Sequence, residues 1–227
     1  MDAAPTAPTG AYWNRPDVAE HFGALAPPPY LRDLLAANPA SRPMATALDA
    51  GCGAGRNLGC LADSGYQAVG FDLHVGMLQL ARRTCIDAAV HQASVLAIPL
   101  RDRCCDIVVC HGVLHNLPSP AAIERALREL ARVTTGGGKI SLNLFCDSYL
   151  DPCLTPTGEP GSYALPNGQR MTLLSPAAIE GLVTMAGLAP QRPTVTYLSP
   201  GDPGQRSVWR TVLCHAEVLC LPGVTCS

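Results

Sequence analysis

The stretch from Ala45 to Leu78, ATALDAGCGAGRNLGCLADSGYQAVGFDLHVGML, constrains this chain more than any other. Thr46 to Ala50 is a short apolar run that carries Asp49 and then breaks at Gly51, Gly53 and Gly55, where backbone without Cβ atoms can turn tightly and approach a ligand. Leu58, Leu61 and Ala62 recur at helical spacing until Gly65, and Ala68 to Phe71 form a second apolar run that delivers Asp72. Strand, glycine loop, helix, strand and acidic stop together predict a nucleotide-binding βαβ unit. Asp72 falls about 20 residues past the first glycine, where a ribose-binding carboxylate belongs.

Charge separates the two cofactor classes that fit this geometry. A dinucleotide sets its pyrophosphate on the helix N-terminus, where Asp49, two residues before Gly51, would repel it. Arg56 also stands where the third glycine of a dinucleotide fingerprint would be. A ligand with an ammonium and a sulfonium would be attracted to such a carboxylate. The patterns D-x-G-C-G-x-G-R-N and G-x-D-x-x-x-x-M-L resemble the first two motifs of class I S-adenosylmethionine (SAM)-dependent methyltransferases, and Arg56-Asn57 with the following Gly65-Tyr66 resembles the type 11, tellurite-resistance-like subgroup.

The resemblance implies an α/β fold: a single Rossmann-like, seven-stranded, mostly parallel sheet with helices on both faces. Residues 1–44 are then N-terminal lid helices and residues 45–227 the SAM-binding unit. SAM is the implied cofactor, with S-adenosylhomocysteine as product, or methylthioadenosine if SAM itself is cyclised. Asp49 would attract the amine, Gly51 and Gly53 would let backbone approach the methionine part, Arg56 would reach its carboxylate, and Asp72, next to Leu73, would accept the ribose hydroxyls. The run SVLAIPLRDRCCDIVVCHGVLHNL resembles the family's adenine loop and fourth strand, with two departures. Ser94, followed by Val95, stands where the family usually has an aspartate; its hydroxyl accepts a hydrogen bond without charge. Cys105 replaces the usual aromatic before Asp106, which reads as a strand-start residue.

A chain of 227 residues, 48% hydrophobic and 15% charged, suits one well-buried domain. Its net charge of −2 and lack of charge blocks argue against nucleic acid or a membrane surface as partner, and leave the oligomeric state open. The 11 cysteines form no C-x-x-C and read as reduced core thiols. With neither a leader pattern nor an apolar span of about 18 residues, a cytoplasmic protein is expected.

Tyr12 and Trp13 open an amphipathic stretch, with Val18, Phe22 and Leu25, that ends at Pro27-Pro28-Pro29. By resemblance this helix lies over the cofactor as a lid, with Tyr12 and Trp13 contributing to its site; simple packing on the sheet is the alternative. Residues 1 to 11 are too poor in apolar groups to be held without ligand. Further helices are expected from Tyr30, His74, Ser119 and Ser175, the last two opened by the same Ser-Pro-Ala-Ala-Ile-Glu capping sequence. The helix from Ser119 is expected to end at Gly136-Gly137-Gly138, before a strand from Ile140 to Cys146. Strands are also expected at Thr194 to Leu198 and Val208 to His215. Asp147 to Arg170, rich in Pro, Gly, Thr and Asp, reads as a long functional connection at the ligand end of the sheet, so Asn143, Tyr149 and Tyr163 are candidates for the second-substrate wall.

Methyl transfer needs few catalytic groups, because it rests on holding donor and acceptor in line in a dry site. His111 and His115 are the candidate proton acceptors, His111 also facing the cofactor. A metal role for this pair lacks a third ligand, so no metal is expected. The expected reaction is methyl transfer to an O, N or C atom of a small molecule. Intramolecular alkylation of SAM to azetidine-2-carboxylate and methylthioadenosine, and non-catalytic SAM binding, are the alternatives.

Overall fold

The computed structural model describes residues 9–201 and 203–217. In chain order the elements are α1 (Thr9–Trp13), α2 (Pro16–Gly23), α3 (Pro29–Ala37), β1 (Thr46–Ala50), α4 (Leu58–Asp63), β2 (Gln67–Asp72), α5 (Val75–Thr84), β3 (Ala89–Gln92), β4 (Cys105–His111), α6 (Pro120–Val133), β5 (Thr134–Cys146), β6 (Thr155–Pro156), β7 (Ser162–Ala164), β8 (Arg170–Thr172), α7 (Pro176–Met185), β9 (Leu188–Pro190), β10 (Val195–Pro200) and β11 (Gln205–His215). The main sheet runs β3-β2-β1-β4-β5-β11-β10. Its strands are parallel through β5, after which β11 pairs antiparallel with β5 and β10 antiparallel with β11.

Alternation along the strands divides the core. Leu48, Val108, Cys110, Ile140, Leu142, Leu144 and Trp209 point to one face, where they are buried with Ile123, Leu127 and Leu130 of α6 and Ile179 and Val183 of α7. Ala47, Ile107 and Val109 point to the other, under Leu31, Leu34 and Leu35 of α3, Leu58 and Leu61 of α4, and Leu78 of α5. Helices therefore cover both faces, as expected. Ser119 Oγ accepts from Ala122 N and Ser175 Oγ from Ala178 N, both at 3.2 Å, so the repeated sequence is reused capping chemistry. Asp106 accepts from Arg42 and from the Thr46 backbone N–H at 2.9 Å, which ties the starts of β4 and β1 together.

Several boundaries differ from the sequence expectation. The N-terminal amphipathic stretch is two helices, because Arg15 precedes Pro16 and is held extended (φ −74°, ψ 134°). Helix α6 stops at Val133 and the three glycines lie inside β5, where the pairing with β4 shifts register between Cys105 and Ile107. A Cβ at Gly138 would meet Thr134 Cγ2 at 2.7 Å, so glycine suits this irregular crossing. The short β9 adds an eighth strand, antiparallel to β11. The Asp147–Arg170 connection is ordered by the small antiparallel sheet β6-β7-β8, which encloses Leu154, Leu165, Met171 and Leu173. Its strands are two or three residues long, too short to show a period. Residues 1 to 8 lie outside the described residues. Among those described, no helix is long and apolar enough to cross a membrane.

Candidate functional site

Strand order reverses at β1, which β2 and β4 flank. An open α/β sheet leaves a crevice at the C-terminal ends of its strands at that point. A cavity of about 320 Å³ lies there, lined among others by Gly51, Gly53, Arg56, Asp72, Leu73, Ser94, Val95 and His111. Gly10, Trp13 and Phe22 also line it. Trp13 packs against Phe22 at 5.3 Å and stacks along His74 at 6.4 Å between ring centroids, so the N-terminal helices meet the cavity through aromatic rings.

The glycine loop is built by backbone bonds. The N–H groups of Gly51 and Cys52 both donate to Phe71 O, at 2.7 and 3.0 Å, which folds the loop back over β2. Gly51 has φ +82°, and a Cβ there would collide with Val113 Cγ2. Gly53 donates to Asp72 Oδ2 at 3.0 Å, while His74 N donates to Asp72 Oδ1 at 2.8 Å. Two amides thus fix the carboxylate, and each oxygen keeps a further lone pair. Ser94 Oγ accepts from Leu96 N at 3.2 Å, which shapes the turn after β3 and leaves the hydroxyl hydrogen available.

Asp49 is 0% exposed and lies behind the cavity wall rather than in it. Asn57 Nδ2 approaches its two oxygens at 3.4 and 3.3 Å, while Asn57 Oδ1 is buried without a partner. Burial pushes the Asp49 carboxyl up to about 7, against the pull of the Arg56 guanidinium and of Asn57. The charges on the wall itself are those of Asp72 and Arg56.

The two histidines differ. His111 ends β4 at 6% exposure, lines the cavity, and shares a 2.8 Å hydrogen bond between Nε2 and Ser141 Oγ. Its Nδ1 is buried without a partner. Burial, with the nearby Arg56 and Arg210 charges, pushes it down to about 3, so the ring is neutral. His115 sits in the 3-10 turn Leu114–Asn116, away from the cavity lining, stacked on Phe145 at 4.1 Å. Its Nδ1 accepts from Phe145 N at 3.1 Å, so that lone pair is committed to holding β5.

Tyr12 contacts Trp13 edge-on at 5.1 Å and lines an outer groove with Pro166 and Asn167 rather than the cavity. Tyr163 packs against the core of the small sheet, and Tyr149 is partly exposed at 37%, its backbone N–H donating to Ser207 Oγ. Asn143 lies beside His111, its Oδ1 accepting from Gly112 N at 2.8 Å.

Residues 48–142 match the model of a methyltransferase domain. This stretch is similar to methyltransferase domains. The chain is 30% identical over 131 residues to the demethylmenaquinone methyltransferase of Renibacterium salmoninarum, covering 58% of this chain and 54% of that one. The chain therefore spans about half the length of this relative. It is 31% identical over 125 residues to a tRNA (carboxymethyluridine(34)-5-O)-methyltransferase of Mus musculus, covering 54% of this chain and 18% of that one. Among solved structures, the Burkholderia thailandensis 1,6-didemethyltoxoflavin-N1-methyltransferase with bound S-adenosylhomocysteine superposes with a TM-score of 0.64 at 19% identity, covering 95% of this chain and 93% of that one.

The residues present in this chain fit SAM on two observations. At Gly53, φ +52°, the position of a Cβ has no atom nearer than Met77 Sδ at 4.0 Å, which leaves an open cradle on the cavity. Asp72, fixed by two amides, also lines the cavity. Sequence reasoning passed over Tyr30, whose ring lies 5.3 Å from His111 and whose hydroxyl accepts from Asn143 Nδ2, and over Arg210 beside it. A signal for Arg210 was available: it is a lone cation inside the apolar run Val208 to Cys214.

Proposed function

We propose that this chain transfers a methyl group from SAM to a nucleophilic atom of a small molecule. The observation that carries the reading is the Asp72 carboxylate, fixed by Gly53 and His74 N–H groups on the wall of a cavity at the strand-order reversal. When bound, SAM supplies a methyl group made electrophilic by its sulfonium. Asp72 accepts the ribose hydroxyls, Gly51 and Gly53 give backbone access, and Ser94 and Val95 border the adenine. Arg56 binds the amino-acid carboxylate. Asp49 and Asn57 complete the polar end behind it, Asp49 taking its full negative charge when an ammonium replaces the lost water.

His111 is a positioning group in this reading. A neutral imidazole so depressed is a weak base, yet its free Nδ1 can hold a hydroxyl or amine in line. His115 is structural. The segment before residue 45 serves as a lid in this reading: among its described residues, Trp13 and Phe22 line the cavity, where they keep water out. A small acceptor is favoured by that roof and by a net charge of −2. The relatives named for demethylmenaquinone and 1,6-didemethyltoxoflavin support it; the one named for tRNA is the counter-example. No observation favours self-alkylation of SAM.

The test is an incubation of the chain with SAM and a panel of small acceptors, read by mass spectrometry. Acceptor-dependent S-adenosylhomocysteine supports the proposal. Methylthioadenosine forming without acceptor overturns it.

A further inference from the structure

Next to the cavity, one row of side chains crosses the sheet. His111, Asn143 and Arg210 are register partners on β4, β5 and β11. Tyr30 of α3 lies over the row: its ring meets the His111 imidazole at 5.3 Å and carries the Arg210 guanidinium 4.5 Å from its centroid. The Asn143 amide has a fixed orientation, because its Oδ1 accepts from Gly112 N and its Nδ2 donates to Tyr30 Oη. The phenol therefore accepts from Asn143 and keeps its own hydrogen for another acceptor.

The charges in this row lack a counter-ion. Of the arginines that are not exposed, Arg132 bonds Glu129 and Asp102, and Arg206 bonds Gln205 O. Among the described residues, Arg56 and Arg210 make neither a salt bridge nor a hydrogen bond, although the Arg56 charge bears on Asp49, and both charges bear on His111. Arg210 is held instead against aromatic rings, Tyr30 and, at 5.9 Å, Tyr197. A half-buried guanidinium kept free of carboxylates is arranged for an anion that arrives from outside, and its planar fork suits a carboxylate. Arg56 is assigned to the cofactor, which leaves Arg210.

Building on the methyl-transfer reading, we propose that the acceptor is a small carboxylic acid: Arg210 and Tyr30 bind its carboxylate, while its nucleophilic end reaches the unpartnered Nδ1 of His111. Arg210 and His111 are two strands apart, about 10 Å between backbones at the usual strand spacing. That span matches a single ring with a carboxylate at one end and a hydroxyl or amine at the other. Asn143 sets the phenol between the two ends.

The test is a titration of the full chain, saturated with S-adenosylhomocysteine, with benzoate and with the neutral isostere benzamide, followed by NMR at the Arg210 Nε–H and the His111 ring. Benzoate is expected to shift both signals and to bind about tenfold tighter than benzamide, the size of one charge-assisted pair. Arg210→Gln is expected to abolish the preference and Arg210→Lys to retain part of it. Equal affinities, no binding of either probe, or a preference that survives in Arg210→Gln overturns the inference. The two-probe comparison on the unaltered protein needs no variant to fold. Calorimetry of S-adenosylhomocysteine on the same sample separates the outcomes: its failure to bind sinks the methyl-transfer reading, whereas binding without a benzoate preference sinks only the carboxylate acceptor.

Discussion

The wall formed by the ends of β1, β2 and β3 and the face formed by α3, β5 and β11 are made in different ways. On the first, backbone carries the geometry: Gly51 and Cys52 amides hold Phe71 O, and Gly53 and His74 amides hold Asp72. Every one of those bonds closes within about one βαβ unit. On the second, side chains from distant positions meet, Tyr30 with Asn143 across 113 residues and His111 with Ser141 across 30. Backbone-built walls suit a ligand that does not change; side-chain-built walls suit one that differs between members of a fold.

The largest expected effect falls on the backbone-built wall. Asp72→Ala removes the proposed acceptor for ribose hydroxyls and should weaken SAM binding by about 2–4 kcal/mol, read by calorimetry. It also frees the Gly53 and His74 amides, so a thermal melt should accompany the titration. Unchanged affinity would remove Asp72 from the site. Next, Gly51→Val places side-chain atoms against Val113 at φ +82° and should lower stability by about 1–3 kcal/mol in denaturant unfolding. An unaffected midpoint would mean that the loop relaxes freely.

The two histidines are expected to respond differently to substitution. His115→Ala leaves the part-buried Phe145 N–H without its acceptor and should lower stability by about 1–3 kcal/mol with the acceptor KM unchanged. His111→Phe should instead alter turnover with little change in unfolding midpoint. If the two variants exchange these signatures, their assigned roles are reversed.

Acid dependence separates the same groups. Burial holds His111 and His115 down at about 3 from the usual 6.5, so the unfolded chain binds protons over that range that the folded chain does not. Their contribution is complete above pH 6.5 and is lost as pH falls towards 3. Asp49, raised from 3.8 to about 7, acts in the opposite sense: its contribution is complete below 3.8 and is lost as pH rises through 7. Unfolding midpoints for Asp49→Asn should therefore lack the decline between about 3.8 and 7 relative to the unaltered chain. An identical pH profile would contradict a buried, protonating Asp49. The smallest effect expected is that of Ser94→Ala, under about 1 kcal/mol in SAM affinity, since one neutral hydrogen bond is at stake.

What was legible in the sequence follows the same division. The strand, loop and helix over 46–63, and Asp72 at the end of β2, were readable because apolar periodicity and glycines are local signals. The repeated Ser-Pro openings located α6 and α7 for the same reason. The glycines after Val133 misled, because three in a row read as a helix stop, while β4 and β5 use them to cross with a register shift. The β6-β7-β8 sheet was hidden by strands shorter than any period. Tyr30 read as an ordinary helix residue, since nothing local announces a partner at Asn143. Asp49 was read as a strand-end carboxylate that attracts the cofactor amine; its complete burial behind the wall depends on Asn57 and on the packing around β4, which spacing alone does not reveal.

Gly53 and Asp72 form a wall suited to SAM rather than to a dinucleotide. Calorimetric titration of the full chain with SAM, S-adenosylhomocysteine and NAD tests it most directly. One-to-one binding of SAM and S-adenosylhomocysteine with none of NAD is the predicted result; NAD binding more tightly than SAM, or SAM failing to bind, contradicts it.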